Sequence, residues 1–118
     1  MGRYLYDGNG LQDLKVVDYP EDGTIDPHIN MGAPETLKDF LKAGQNLERE
    51  LYPDGNVHRV FVFWDHGSGS LGGVCSDKVC KSDLLSLSEI HKTFAEVYPS
   101  VDEPPFELIG FDACLMST

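Results

Sequence analysis

The chain has 118 residues, of which 41 % are apolar, and it carries a formal net charge of −11 at pH 7. That length suits one small domain. The chain contains no run of about 18 apolar residues, and so acidic a surface repels phosphate backbones and anionic lipid; we therefore expect neither a membrane nor nucleic acid as a partner. The charge fits cationic partners, including peptides rich in Lys or Arg, although a merely soluble acidic protein has the same composition.

The three cysteines, Cys75, Cys80 and Cys114, are an odd number, which argues against a closed framework of disulfides. Cys75 and Cys80 lie close together in a polar stretch rich in Gly and Ser. They could pair in an oxidising compartment, but two free thiols are the favoured interpretation. A zinc site built on His66, Cys75 and Cys80 lacks further ligands at a suitable spacing. The first residues show no apolar segment of the kind found in signal peptides.

The first half of the chain predicts two short strands, a loop and a helix. Residues 3–19 are interpreted as two strands around the turn sequence DGNG, with LKVVDY as an apolar strand, and residues 20–33 as a loop. A helix follows from Pro34, which suits a first turn because its missing N–H would have no partner there. Gly44 weakens this helix by about 1 kcal/mol relative to Ala. The apolar residues that repeat at helical spacing are Leu37, Phe40, Leu41, Leu47 and Leu51.

An apolar strand and a long loop are predicted next. Residues 58–64, HRVFVFW, form an almost unbroken apolar run, which is typical of a strand buried on both faces of a parallel sheet. The strand stops at the sequence Asp65-His66-Gly67. Residues 68–85 are predicted as a loop, which is longer than most connections and therefore often functional or mobile.

A second helix and a last strand complete the predicted elements. The helix is predicted from Ser86, which has capping-box spacing to Glu89. Residues 106–111, FELIGF, predict a strand that ends at Asp112-Ala113-Cys114. The apolar stripe of the helix consists of Leu87, Ile90, Phe94 and Val97.

The strand 58–64, the second helix and the strand 106–111 together make a β-α-β unit. Such crossovers are almost always right-handed and place both strands parallel in one sheet. If the two strands are neighbours, they lie about 4.8 Å apart and end at the same edge, where open α/β sheets bind ligands. His66 and Cys114 follow the two strand ends by two or three residues, so they are expected to lie close together.

A thiol beside an imidazole is the chemistry of a cysteine hydrolase. Cys114 would be the nucleophile once a base favours its thiolate, and His66 would be that base, or the acid for the leaving group. The backbone N–H groups of Gly67 and Cys114 could hold the developing oxyanion. Taken singly, each residue also has an ordinary structural role, because a lone Cys after a strand is usually a small buried hydrophobe and His-Gly is usually a turn.

The stretches VFVFWDHGSG and ELIGFDACLMS resemble the two signature motifs of the clostripain family of cysteine peptidases, which shares a clan with caspases, gingipains, separase and legumain. NMGAPETLKDFL, residues 30–41, and the YP before the apolar strand are also similar to that family. The resemblance runs from about Asn30 to Ser117. It implies a caspase-like three-layer α/β/α sandwich with a mostly parallel sheet, and it implies His66 and Cys114 as a catalytic dyad.

The same resemblance implies cleavage after Arg, and often Lys, which suits an acidic S1 pocket. Asp112 stands where the family carries an acidic residue near that pocket; a structural role, orienting the loop through backbone N–H bonds, is an equal alternative. The family often matures by cutting its own loop after a basic residue, for which Lys78 and Lys81 are candidates. Some relatives need Ca²⁺, and Asp77 and Asp83 could supply oxygen ligands, although no ligand-loop pattern is present. The sequence itself requires no cofactor.

Family members begin with a further strand and helix and continue well past the nucleophile. Residues 1–118 are therefore expected to be a single, partial peptidase domain that is weakly active or inactive alone and can self-associate through open sheet edges. The resemblance implies that the parent is an exported bacterial protein, secreted or periplasmic. The alternative function is a catalytically silent caspase-like module that binds basic peptides through its acidic face.

Overall fold

The computed structural model of the chain describes residues 4–6, 8–13, 30–67, 72–77, 83–100, 102 and 104–113. Within these residues the chain forms two helices and three two-stranded sheets. The elements in chain order are β1 (Tyr4–Tyr6), β2 (Leu11–Asp13), α1 (Pro34–Leu51), β3 (Val60–Trp64), β4 (Val74–Asp77), β5 (Asp83–Leu85), α2 (Leu87–Val97) and β6 (Leu108–Asp112). In the described part of the chain, neither helix is long and apolar enough to cross a membrane.

Strands β1 and β2 form the hairpin that the turn sequence predicts. They pair antiparallel, with Tyr4 opposite Asp13 and Tyr6 opposite Leu11, and Gly8 supplies a positive φ of +88° in the turn. The second strand comes earlier than predicted, because it uses Leu11–Asp13. The segment LKVVDY lies outside the described residues, as does most of the predicted loop 20–33.

Helix α1 begins at Pro34 as predicted and buries a narrow apolar stripe. Leu37 and Leu41 are 7 % and 3 % exposed, one helical turn apart. Phe40 and Leu51, which share the helical spacing of the apolar residues, are 48 % and 46 % exposed. The Phe40 ring still packs against the Phe61 ring in a T-shaped contact at a centroid distance of 6.1 Å.

Strands β3 and β6 are direct neighbours, which confirms the predicted β-α-β unit. They pair parallel, in register from Val60 opposite Leu108 to Trp64 opposite Asp112, and α2 connects them. The predicted capping box starts α2: the N–H of Glu89 donates to Oγ of Ser86 at 3.3 Å, and the N–H of Ser86 donates to Oε2 of Glu89 at 2.9 Å. These paired bonds satisfy two N–H groups that a helix start otherwise leaves open.

The core lies between the two helices and one face of this parallel sheet. Phe61 is half-buried against this core, and its ring packs against Phe63, Phe94 and Phe106 at centroid distances of 4.8, 5.6 and 5.7 Å. Edge-to-face and tilted contacts of this kind are the favoured geometries for aromatic pairs. Since α1 and α2 also pack against each other, both helices cover the same face of the sheet.

In the described part of the chain the opposite face of the sheet is exposed, contrary to the prediction that β3 is buried on both faces. Side chains alternate along a strand, and those of Val60, Val62 and Trp64 point away from the helices. They are 57 %, 53 % and 84 % exposed, and Leu108 beside them is 58 % exposed. The described residues therefore form a helix layer on a parallel sheet, which is compatible with part of a caspase-like sandwich.

Residues 68–85 are not simply a loop, contrary to prediction. They contain the hairpin β4–β5, in which Val74 lies opposite Leu85 and Asp77 opposite Asp83, with an irregular register between these pairs. Val74 and Leu85 are 0 % and 2 % exposed and are among the most buried side chains described. Strands of four and three residues are too short to show an apolar alternation, which is why the sequence pattern missed them.

Candidate active site

The carboxyl ends of β3 and β6 border an open cleft of about 590 Å³. It lies at the sheet edge where parallel α/β sheets bind ligands. Because Trp64 and Asp112 are the last registered pair, the chain segments that leave the two strands start side by side. The cleft is lined by Trp64, Asp65, His66, Phe111, Asp112 and Ala113.

His66 projects from the turn that ends β3. Its side chain is exposed, and its backbone N–H donates to Oδ1 of Asp65 at 2.6 Å. A short acidic side chain that accepts a bond from the next N–H competes with the sheet ladder and ends the strand. The imidazole is therefore presented to the cleft and to solvent, where a base for a bound substrate is needed.

Gly67 connects this turn to the hairpin β4–β5. It forms an isolated antiparallel bridge with Val74 and is half-buried. Gly73, the residue before Val74, has a φ of +133°, and a Cβ there would lie 2.3 Å from the carbonyl oxygen of Leu85. Gly67 is therefore held against the buried Val74 of hairpin β4–β5, an element that the sequence pattern does not indicate.

The predicted nucleophile, Cys114, lies outside the described residues, as do Cys80, Lys78 and Lys81. The description reaches Ala113, which is half-buried and lines the cleft beside His66. Counted along the chain, His66 and Cys114 each follow the pair Trp64–Asp112 by two residues. The dyad and the oxyanion hole remain predictions that this placement favours.

Asp112 is an exposed residue at the end of β6 and lines the same cleft as His66. A carboxylate in this place can attract a cationic substrate side chain. Both of its predicted roles, in the S1 pocket and in orienting the loop, stay predictions.

A comparison with models of protein families identifies the family of this chain. The model of the clostripain family matches residues 5–118. The chain belongs to the clostripain family. The match begins earlier than the resemblance noted from Asn30, since it also covers the hairpin β1–β2. No match was found among curated proteins or among solved structures. At the level of the family, the chain is a member of a group of cysteine peptidases, and its substrates are peptides or proteins.

Cys75 shows the environment that a peptidase nucleophile should not have. It is a free, half-buried thiol on β4 with a positive φ of +59°. Burial raises the pKa of the Cys75 thiol, and the negative charge of Asp65 raises it further. Both effects disfavour the thiolate, which is the reactive form. In a clostripain-family chain with three cysteines, Cys75 is therefore a poor candidate for the nucleophile.

The two acidic residues suggested for Ca²⁺ give no assembled site among the described residues. Asp83 accepts bonds from Nδ2 of Asn30 at 2.6 Å and from the N–H of Leu84 at 3.1 Å, while the side chain of Asp77 is not described. No cluster of three or more His, Cys, Asp or Glu that could hold a metal occurs in the described part of the chain. Ca²⁺ stays a prediction of the family resemblance, and no step of the chemistry is derived through it.

A second cleft, of about 400 Å³, lies at the other end of β3. Its charged lining residues are Glu48, Arg49 and Arg59, and two of them pair: Nε of Arg59 donates to Oε2 of Glu48 at 2.7 Å and a second guanidinium nitrogen donates to Oε1. This bidentate pair ties the end of α1 to the start of β3. The cleft beside His66 is the one that carries the family motifs.

Proposed function

We propose that this protein is a cysteine endopeptidase that hydrolyses peptide bonds after Arg or Lys, with Cys114 as nucleophile and His66 as acid and base. One observation carries the proposal: the parallel, registered pairing of β3 with β6. It supports the proposal because the strands that precede the His-Gly motif and the Asp-Ala-Cys motif end at the same sheet edge. Membership in the clostripain family supports the same chemistry.

The proposed reaction starts with attack of the Cys114 thiolate on the scissile carbonyl carbon. The carbonyl π electrons move to oxygen, and the N–H groups of Gly67 and Cys114 stabilise that oxyanion. His66, which holds the proton of the thiol, gives it to the leaving amine as the C–N bond breaks. Water, deprotonated by His66, then cleaves the thioester and returns Cys114 to its starting state.

Specificity for Arg or Lys is proposed from charge. Asp112 lies in the cleft, and the whole chain carries a net charge of −11. A carboxylate near the S1 pocket favours a cationic side chain over a neutral or acidic one, since an acidic substrate side chain would meet like charge. Self-association through open sheet edges stays a prediction of the sequence, and export of the parent from a bacterial cell stays a prediction of the family resemblance.

Self-processing belongs to the same proposal. Lys78 and Lys81 fall between β4 and β5 in the sequence, so a cut after either would separate the two strands of the hairpin along the chain. Intact mass of an active preparation tests this against the double variant Lys78→Ala, Lys81→Ala. Cut protein that becomes uncut in the variant supports it, and identical uncut masses contradict it.

The experiment for the main proposal follows cleavage of amide substrates that end in Arg, Lys or Asp, using the protein with its natural ends. We expect cleavage after Arg and Lys that is lost in Cys114→Ala and kept in the matched control Cys75→Ser. Cleavage that persists in Cys114→Ala would remove Cys114 as nucleophile. Binding of basic peptides without cleavage would instead support the silent caspase-like module, which the acidic charge also fits.

A further inference from the structure

Asn30 joins the start of α1 to the start of β5. Its Oδ1 accepts from the N–H of Gly32 at 2.9 Å, and its Nδ2 donates to Oδ2 of Asp83 at 2.6 Å. Its backbone carbonyl accepts from the N–H of Ala33 at 3.1 Å and from Oγ1 of Thr36 at 2.6 Å. The amide thus uses both of its ends, one within its own turn and one across to β5.

The turn lies directly against the backbone of β5. A Cβ on Gly32 would lie 2.5 Å from the carbonyl oxygen of Asp83 and 3.0 Å from the nitrogen of Leu84. No side chain fits in that gap, so Gly32 permits close approach of the two backbones. Asp83 is therefore held on two sides, by the Asn30 amide and by the packed Gly32.

From β5 the contacts continue to the turn that carries His66. Leu85 pairs with Val74, and Gly73 packs against the Leu85 carbonyl as closely as Gly32 packs against Asp83. Val74, fully buried, then bridges to Gly67. Each of these contacts is made by backbone atoms or by a pair of buried side chains. Because such contacts leave little free space, a displacement of β5 is expected to move Gly67 as well.

We propose that Asn30 is a positioning residue: by fixing Asp83 it sets hairpin β4–β5, and through the Val74–Gly67 bridge it sets the backbone of the His66-Gly67 turn at the cleft. The inference rests on the proposed function insofar as that turn carries the catalytic base and an oxyanion donor. It gives a physical role to the Asn-Met-Gly sequence of residues 30–32, which the catalytic chemistry leaves unexplained.

The hydrogen bond between Asn30 and Asp83 can be tested by exchanging the two side chains. Asn30→Asp keeps the shape and the acceptor for Gly32 but removes the donor and places a second carboxylate against Asp83. Adding Asp83→Asn restores one donor and one acceptor with the direction reversed, and its Oδ1 can still accept from Leu84. Asn56→Asp, at an exposed position between α1 and β3, is the matched control because it adds the same charge away from the hairpin.

Two measurements are made on the protein with its natural ends: amide NMR signals of Gly67 and Val74, and kcat and KM for an Arg substrate. We expect Asn30→Asp to shift both amides and to lower kcat about tenfold with KM changed less, as a small misplacement of catalytic groups does. The exchanged double variant is expected to recover the amide signals and kcat of the parent. Asn56→Asp is expected to change neither the amide signals nor kcat.

Unchanged Gly67 and Val74 signals in Asn30→Asp, or a loss that the exchanged pair does not recover, would overturn the positioning role. The NMR measurement needs no turnover. If no variant cleaves any substrate while the amide signals shift and recover, the proposed peptidase function fails and the coupling of Asn30 to the His66 turn stands. A fall in kcat without any amide shift would also contradict the inference.

Discussion

The surroundings of Cys75, close to the turn that carries His66, disfavour its thiolate. The pKa of the thiol is raised first by burial and then by the negative charge of Asp65. A thiol with a raised pKa carries less thiolate at every pH than the same thiol in the unfolded chain, and the difference is largest between the two pKa values. The thiolate is the form that reacts with an alkylating agent.

We therefore predict that iodoacetamide modifies Cys75 several-fold more slowly in the native protein than in denaturant. The midpoint of its pH–rate profile should also lie above that of the unfolded chain, which separates a pKa effect from simple shielding. Peptide mapping by mass spectrometry assigns the label, with Cys75→Ser as the blank. Native and unfolded rates that coincide across the pH range would contradict the account.

Single residues were predicted where they belong to, or directly follow, a strong local sequence pattern. His66 was predicted because it follows an apolar strand, and Ser86 because Glu89 stands three residues later. Asn30 gave no such signal, because its partner Asp83 lies 53 residues away. A hydrogen bond between two polar side chains that are so far apart in sequence does not produce a periodic sequence pattern.

Hairpin β4–β5 is the element on which the candidate site depends most. Gly73 has a φ of +133° and no room for a side chain, so Gly73→Ala combines backbone strain with a clash against Leu85. We predict a loss of about 2–4 kcal/mol in the free energy of unfolding. Urea denaturation measures it.

Gly44→Ala is the matched control for this glycine change. Gly44 lies inside α1, and a Cβ there would meet nothing within 4 Å. The same substitution should therefore stabilise the protein by about 0.5–1 kcal/mol, since Ala is the better helix former. Equal effects of the two substitutions would mean that Gly73 is not under the constraint described here.

A pH dependence is predicted for the link between α1 and β3. The hydrogen bond and charge of Arg59 hold the pKa of Glu48 below its ordinary value. A lowered pKa gives stability that is fully present above the unfolded pKa, about 4.3, and is lost as the pH falls through the folded pKa. The side chains of Arg59 and Glu48 remain 35 % and 25 % exposed, so solvent screens part of the interaction.

Glu48→Gln should accordingly cost about 1 kcal/mol at pH 7, and the difference from the parent should shrink as the pH falls below about 4. Urea unfolding at a series of pH values measures this. Glu50→Gln, an exposed change on the same helix, should show little difference at any pH. A cost for Glu48→Gln that stays constant down to about pH 3 would contradict the assignment.

The elements themselves were predicted unevenly. Helices α1 and α2 and the parallel pair were predicted because they are long and strongly patterned or joined by a crossover of fixed hand. Hairpin β4–β5 was missed, because Val74–Asp77 mixes apolar and polar residues without alternation. Its stability comes from burial of Val74 and Leu85 against residues distant in sequence.

For the molecule as a whole, the acidic charge should control substrate capture. We predict that kcat/KM for an Arg substrate falls as ionic strength rises from about 0.01 to about 0.15 M, where the Debye length shortens from about 30 to about 8 Å. For the same peptide with an added Lys, kcat/KM should fall more steeply with ionic strength. Identical salt dependence for both peptides would show that the −11 net charge does not steer substrates.

The layers of the whole molecule were only partly predictable. An apolar run such as residues 58–64 indicates that a strand is suited to burial on both faces, but it does not say what covers each face. The structure covers the Phe61 side with both helices, and it leaves Trp64 84 % exposed on the other. The connections between the helices and strands determine which face of the sheet the helices cover. A local sequence pattern contains no information about these connections.

Covalent capture of the nucleophile tests the proposed dyad directly. A peptidyl chloromethyl ketone ending in Arg is incubated with the protein bearing its natural ends, and intact mass and peptide mapping locate the label. We predict one label, on Cys114, that is strongly reduced in His66→Ala and unaffected in Cys75→Ser. Labelling of Cys75, or equal labelling of Cys114 with and without His66, would contradict a Cys114–His66 dyad.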